Sequence, residues 1–230
     1  MSKFYIVATP IGNLGDITLR AIDTLKDVDL ILCEDTRETK KILDRYNIKT
    51  STMSYHARSK LSKVDTILKM LNDGKNLALV SDAGTPTISD PGVMLVSRIK
   101  KELREGVEVI PTPGVSAVIT ALSASGLPTN EFTFLGFLPH KKGRETLFKE
   151  IATLGEKRTY VFYESPHRII KTLESLNKFC PLRKVCLARE LTKIYEEFKI
   201  DTPGKLLEFF SKNKERVRGE FTVIVAPNHN

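Results

Sequence analysis

Short apolar runs alternate with longer amphipathic stretches along the first half of the chain. The runs at 4–8, 28–33, 50–54, 77–81 and 107–110 are rich in valine, isoleucine and leucine and read as buried strands. Between them, 18–27, 36–46, 59–73 and 91–105 read as helices. Such alternation implies parallel strands joined by right-handed crossovers. Asp90-Pro91, Ser165-Pro166 and Thr202-Pro203 each place a capping side chain before a proline at the first helical position.

The pattern changes near 114. Ser116 to Ser125 predicts a small-residue helix able to pack tightly between layers. Strands follow at 132–137, 158–163, 184–189, 195–200 and 220–226, with helices at 144–153, 166–179 and 204–213. Two β-rich runs share 184–200 with no helix between them, which predicts an antiparallel pair and so a mixed sheet. The reading is an α/β chain of two domains. Residues 1–114 form an N-terminal domain with a mainly parallel sheet, and 115–230 a C-terminal domain with a mixed one.

Three loops follow apolar runs: Ala8-Thr9-Pro10-Ile11-Gly12-Asn13, Ser81-Asp82-Ala83-Gly84-Thr85-Pro86 and Pro111-Thr112-Pro113-Gly114-Val115-Ser116-Ala117. Glycine and proline at strand ends let backbone come close to a ligand. Open α/β sheets bind ligands outside the carboxyl ends of their strands. An enzyme with one large cofactor cleft is expected. The loops are neither a P-loop nor a GxGxxG dinucleotide turn, and HExxH and GxSxG are missing. His56, His140, His167 and His229 are too widely spaced to suggest a metal cluster.

Composition narrows the setting. The chain is 41% hydrophobic and 28% charged, as in ordinary globular proteins. No apolar run approaches the ~20 residues needed to cross a bilayer. Met1-Ser2-Lys3 leads straight into a strand, leaving no room for a signal peptide. Cys33, Cys180 and Cys186 are too scattered for a disulfide framework or zinc site, and Cys33 and Cys186 sit in apolar runs as buried thiols. A cytoplasmic protein is expected. The net charge of +8 suits a polyanionic partner, nucleic acid first. The basic residues cluster at His140 to Arg144, at Lys212, Lys214, Arg216 and Arg218, and at Lys40, Lys41 and Arg45.

Seven motifs occur in order: ATPIGN, CEDTR (Cys33 to Arg37), SDAGTP with SDPG (Ser89 to Gly92), GFLP (Gly136 to Pro139), FYESPHR (Phe162 to Arg168), ARELTK (Ala188 to Lys193) and GEFT (Gly219 to Thr222). With these the chain resembles, from Tyr5 to Val225, the tetrapyrrole methylase superfamily. Within it the likeness is to the bacterial branch that 2′-O-methylates a cytidine (position 1402) in the decoding region of 16S ribosomal RNA. The resemblance implies S-adenosylmethionine as cofactor, two α/β domains with the cofactor between them, and a homodimer acting on the small ribosomal subunit. It maps the methionine end and ribose of the cofactor onto Ala83, Gly84, Thr85 and Ile88, and a second element onto Ser116 and Ala117. Tyr163 and Ala188 match the adenosine pocket, and Pro10 and Gly12 would face the transferred methyl. The loop after the fourth strand lacks the aspartate of the superfamily's Gly-Gly-Asp-Pro element, which argues against a porphyrin-type substrate. Ala57, Arg58 and Ser59 stand where the RNA branch often has an acidic residue and His-Asn.

A ribose hydroxyl attacks well only if its proton is accepted as the new bond forms. Candidate acceptors are Glu34, Asp35 and Asp82, with Glu164 in the second half. Three have a structural alternative: Asp35 as a helix cap, Glu34 paired with Arg37, and Glu164 paired with Arg168 or capping a helix; Arg189 in turn can pair with Glu190. Arg37, Lys141, Lys142, Arg144, Arg168 and Arg189 are the candidate RNA ligands, with the loop 139–144 preferred. The competing functions are methylation of a small tetrapyrrole or a protein side chain, and ribosome assembly by binding alone.

Overall fold

The computed structural model describes residues 1–56, 59–154 and 158–228, and the chain divides into two compact units, Met1–Ser116 and Ala117–Asn230. In the first unit β1 (Ser2–Val7), β2 (Leu30–Cys33), β3 (Thr52–Ser54), β4 (Leu77–Leu79) and β5 (Val107–Thr112) form a parallel sheet ordered β3-β2-β4-β1-β5. The crossovers contain α1 (Leu19–Asp27), α2 (Thr36–Arg45), α3 (Leu61–Asn72) and α4 (Val93–Glu102). Val64, Ile67 and Leu71 of α3 join Leu95 and Ile99 of α4 in one buried cluster with Phe4, Leu32, Leu77 and Leu79. Ala21 and Leu25 of α1 join Ile42 and Leu43 of α2 in another with Val7, Ile31 and Ala78. Burial on both sheet faces explains why these strands read as unbroken apolar runs. Pro111 sits in β5, an edge strand, where a missing N–H is tolerated.

In the second unit α5 (Ala117–Ala124) precedes β6 (Phe132–Phe137), α6 (Arg144–Leu154), β7 (Thr159–Glu164) and α7 (Pro166–Phe179). Then come β8 (Val185–Arg189), β9 (Glu197–Asp201), α8 (Pro203–Lys212) and β10 (Phe221–Val225). The sheet order is β6-β7-β10-β8-β9; β6 and β7 are parallel and the other neighbours antiparallel. The expected antiparallel pair at 184–200 is β8 with β9. Phe148 and Ile151 of α6, Ile169, Leu173 and Leu176 of α7, and Leu206 and Phe210 of α8 enclose Phe162, Leu187 and Val223 of the sheet. The small-residue helix α5 packs against β10.

Two local readings need correction. Asp90 is not a helix cap: α4 starts at Val93, and its N-cap is Gly92, with φ +129°. A Cβ there would lie 2.7 Å from Leu79 Cδ2, so close packing on β4 sets the helix start. Ser165 and Thr202 do occupy N-cap positions, but their side chains make no capping bond. The preceding carboxylates act instead: Glu164 Oε1 accepts from Ser165 N at 2.8 Å, and Asp201 Oδ1 from Thr202 N at 2.9 Å.

Candidate functional site

The loops at the carboxyl ends of the parallel strands are joined to one another. Thr9 and Gly84 exchange two backbone hydrogen bonds of 2.9 Å, tying the loop after β1 to the loop after β4. Thr9 Oγ1 also donates to Ser81 O at 3.1 Å. Thr85 Oγ1 donates to Val115 O at 3.1 Å, which ties the β4 loop to the segment after β5. Two glycines make this possible: Gly84 has φ +77°, and a Cβ on Gly114 would stand 2.9 Å from that of Ala8. Thr87 and Ser89 also have positive φ, at 74° and 66°, flanking the exposed Ile88. The β2 end joins through Asp82, whose Oδ1 accepts from Asp35 N at 3.0 Å.

The sequence candidates Pro10, Gly12, Ala83, Gly84, Thr85, Ile88 and Ser116 thus all belong to this linked set of strand-end loops. The segments Ala8–Asn13, Ser81–Gly92 and Pro113–Ser116 contain no lysine or arginine, although the chain as a whole carries a charge of +8. Backbone groups and carboxylates dominate. Such a surface suits a cationic ligand with polar groups that bond to backbone, and lacks the basic side chains that commonly hold phosphate.

The carboxylates differ from one another. Burial pushes Glu34 up to about 7, and the negative charges of Asp90 and Asp82 add to the shift. Burial also lifts Asp90 to about 6; a hydrogen bond with Ser81 opposes the rise and Asp82 adds to it. Asp35 goes the other way, to about 2, because the Arg37 side chain and backbone both donate to it. It is the N-cap of α2, with the Arg37 guanidinium 2.6 Å away. Arg37 is therefore paired with Asp35, not Glu34, although its side chain remains 86% exposed. Asp90 is a member of this cluster that its Pro91 neighbour disguised as a cap. The departure at Ala57 and Arg58 lies outside the described residues.

In the second unit the register aligns Phe137, Tyr163, Thr222, Ala188 and Phe198 in one row across β6, β7, β10, β8 and β9. Cross-strand partners project to the same face, so the candidates Tyr163 and Ala188 share a face with Thr222 between them. The Tyr163 ring meets Phe134 and Phe137 at centroid distances of 5.1 and 5.3 Å. Ala117 begins α5.

Three candidate RNA ligands are committed elsewhere. Glu164 is buried, and Arg144 Nη2 and Arg168 Nε lie 3.3 and 2.7 Å from its carboxylate oxygens. The Arg168 contact is an ion pair without hydrogen-bond alignment. Arg189 is buried and pairs with Glu197, its register partner on β9, rather than with Glu190. Glu197 also binds Arg216, while Glu190 pairs with Lys193. All three guanidinium groups are thus engaged with carboxylates of the same unit. Lys141 and Lys142 stay exposed, in the loop between β6 and α6. Glu164, offered by sequence as a proton acceptor, is saturated by its partners.

The family model for tetrapyrrole (corrin/porphyrin) methylases matches residues 3–206. A Halalkalibacterium halodurans protein named ribosomal RNA small subunit methyltransferase I is 48% identical over 97% of this chain and 75% of its own length. A Thermotoga maritima protein of the same name is 45% identical over 98% of this chain and 99% of its own length. Among solved structures, uroporphyrin-III C-methyl transferase from Thermus thermophilus complexed with S-adenosyl homocysteine superposes with a TM-score of 0.65. It shares 19% identity, and the match covers 98% of this chain and 97% of that one.

Proposed function

Because the chain belongs to the tetrapyrrole methylase family and groups there with proteins named ribosomal RNA small subunit methyltransferase I, we propose that it methylates a cytidine ribose of 16S ribosomal RNA. The donor is S-adenosylmethionine, and the acceptor is the 2′-oxygen of a cytidine in the decoding region. The observation that carries this reading is the linking of the loops after β1, β4 and β5, which hold no lysine or arginine, with Glu34 raised to about 7 at the end of β2.

The loops fit the cofactor. Gly84 and Gly114 permit close backbone approach, and the acidic side chains complement a sulfonium. Pro10, Gly12, Ala83, Gly84, Thr85, Ile88 and Ser116 would hold it through backbone contacts. When bound, S-adenosylmethionine supplies a methyl group already activated by its positive sulfur. The protein's own work is positioning and proton acceptance. Glu34 is the acceptor of choice, since a carboxylate near 7 can take a proton at physiological pH. Asp35, held near 2 and engaged as a cap, is a poor one. Asp82 holds the β2 loop through Asp35 N and raises Glu34 by its charge.

RNA phosphates would be met by Lys141 and Lys142, and by Arg37 while it remains paired with Asp35. The reading includes a homodimer acting on small ribosomal subunits in the cytoplasm. No helix among the described residues is long and apolar enough to cross a membrane.

The test is transfer of labelled methyl from S-adenosylmethionine to small subunits lacking the modification, with nuclease mapping of the product. A 2′-O-methylcytidine in the decoding region supports the reading. Label on a base, on protein or on a tetrapyrrole would replace the acceptor, and RNA binding without cofactor binding would favour an assembly factor.

A further inference from the structure

Glu164 is the one acidic residue among the described residues whose backbone and side chain are together classed as buried. Its side chain is 0% exposed. Four groups surround it: Ser165 N at 2.8 Å, Thr172 Oγ1 at 2.7 Å, Arg168 Nε at 2.7 Å and Arg144 Nη2 at 3.3 Å. Thr172 Oγ1 also takes a 2.5 Å bond from Arg144 Nη2, which locks that guanidinium in place.

Both arginines then reach the same segment of chain. Arg168 Nη1 donates to Leu138 O at 2.8 Å, and Arg144 Nη1 to Pro139 O at 3.2 Å. Leu138 is itself buried in the core. At the far end of the loop Arg144 N donates to Lys141 O at 3.3 Å, and Gly143 has the φ of +83° that this turn needs. The loop is pinned at both ends, and its exposed tip is His140-Lys141-Lys142.

We propose that Glu164 is a positioning residue for RNA: through Arg144 and Arg168 it fixes the loop 138–143 in the shape that presents Lys141 and Lys142 to phosphate. This rests on the reading of those lysines as phosphate ligands. A buried ion-pair network adds little stability over apolar residues of the same volume, because desolvation cancels much of the attraction. Its distinctive output here is geometric, since two successive carbonyls are held by two guanidinium groups oriented by one carboxylate. A loop ordered before binding does not lose its freedom on binding, and that raises affinity without adding a contact.

The experiment measures binding of a decoding-region RNA fragment across a salt series. The proteins are the unmodified chain, Glu164→Gln, Lys141→Ala with Lys142→Ala, and all three changes together. Glu164→Gln is expected to weaken RNA binding about tenfold, with S-adenosylmethionine affinity and the salt slope unchanged. The lysine pair should lower the slope by about 1 to 2, as lost phosphate contacts do. In the lysine-free background Glu164→Gln should have no further effect on RNA. Thr172→Val, which keeps the carboxylate and removes its hydroxyl partner, should act in the same direction by about threefold, and guards against a Glu164 variant that does not fold. A full Glu164→Gln effect without the lysines overturns the proposal, as does no effect of Glu164→Gln or Thr172→Val where the lysine pair weakens binding. If the lysine pair changes neither affinity nor slope, the reading of the loop fails, and the proposal with it.

Discussion

Glu34 and Glu164 stand at equivalent points of their two units. Each closes or follows a strand whose next element is a helix: β2 leads to α2, and β7 to α7. Their surroundings are opposite. Glu34 is raised to about 7 by burial, with the carboxylates of Asp90 and Asp82 adding to the shift. Glu164 is enclosed by two guanidinium groups, a hydroxyl and a backbone amide. The same side chain is thus raised in pKa in one place and tied into an ion-pair network in the other. Local sequence does not decide which. The partners do: Asp82 and Asp90 reach Glu34 from the loop after β4, while Arg144 of α6 joins Ser165, Arg168 and Thr172 around Glu164.

The largest expected effect comes from making Glu34 unable to accept a proton. Glu34→Gln should lower kcat by about 10²- to 10⁴-fold, the usual range for losing a general base. The KM for RNA should stay close to that of the unmodified chain. In the unmodified chain, kcat/KM should rise with pH through about 7 as Glu34 loses its proton, then level off. The variant should lack that inflection. A surviving inflection would move the proton transfer to another group, Asp90 first, since it is raised to about 6.

Glu164 should show the opposite profile, large in stability and small in chemistry. Glu164→Ala leaves the half-buried Arg144 and Arg168 without their carboxylate, and breaking such a network costs up to about 3–5 kcal/mol. Chemical denaturation would measure it. At saturating RNA the folded fraction should turn over at an undiminished rate. A fall in kcat per folded molecule would show that the two glutamates are less different than their surroundings indicate.

Gly114→Ala tests the loop junction itself. The new methyl would meet Ala8 Cβ at 2.9 Å, so the β1 and β5 loops must part. Overpacking of this kind costs about 1–3 kcal/mol. Weaker S-adenosylmethionine binding by calorimetry, with RNA affinity intact, is expected. Equal losses for both ligands would argue against a cofactor role confined to these loops.

The alternation of strands and helices was legible because strands buried on both faces must be apolar throughout, as β2 and β4 are. The switch to a mixed sheet was legible because 184–200 has no room for a crossover helix. Strand-end glycines pointed to the loops for the same kind of local reason. What could not be read was pairing at a distance. The Glu164–Arg168 pair, four residues apart, is legible as an alternative and is present, whereas nothing local shows that Arg144 joins them from twenty residues away. Arg189 looked paired with its neighbour Glu190, whereas strand register gives it Glu197. Asp90 looked like a cap because of Pro91, but the close approach of Gly92 to Leu79 sets where α4 starts. Charge assignments fail where tertiary structure supplies the counter-ion.

The smallest expected effect sharpens the contrast within one dipeptide. Glu34 and Asp35 are adjacent, yet one is raised to about 7 and the other lowered to about 2. Their contributions to stability must therefore run in opposite directions with pH. In the unfolded chain Glu34 loses its proton near 4.5, while the folded chain retains it up to about 7. Stability from this group is lost as pH rises across that window and is constant above it. For Asp35 the favourable term is present above about 3.8 and is lost as pH falls through about 2. Glu34→Gln should accordingly raise the melting temperature at pH 8 and leave it nearly unchanged at pH 4. The gain is about 1 kcal/mol once the partial exposure of Glu34 is allowed for. Arg37→Ala should do the reverse, lowering stability at neutral pH and losing its effect below pH 2. Melting curves of both variants across pH would separate the two residues. A Glu34→Gln curve parallel to that of the unmodified chain from pH 4 to 8 would mean that Glu34 is not raised, and the candidate proton acceptor would be lost with it.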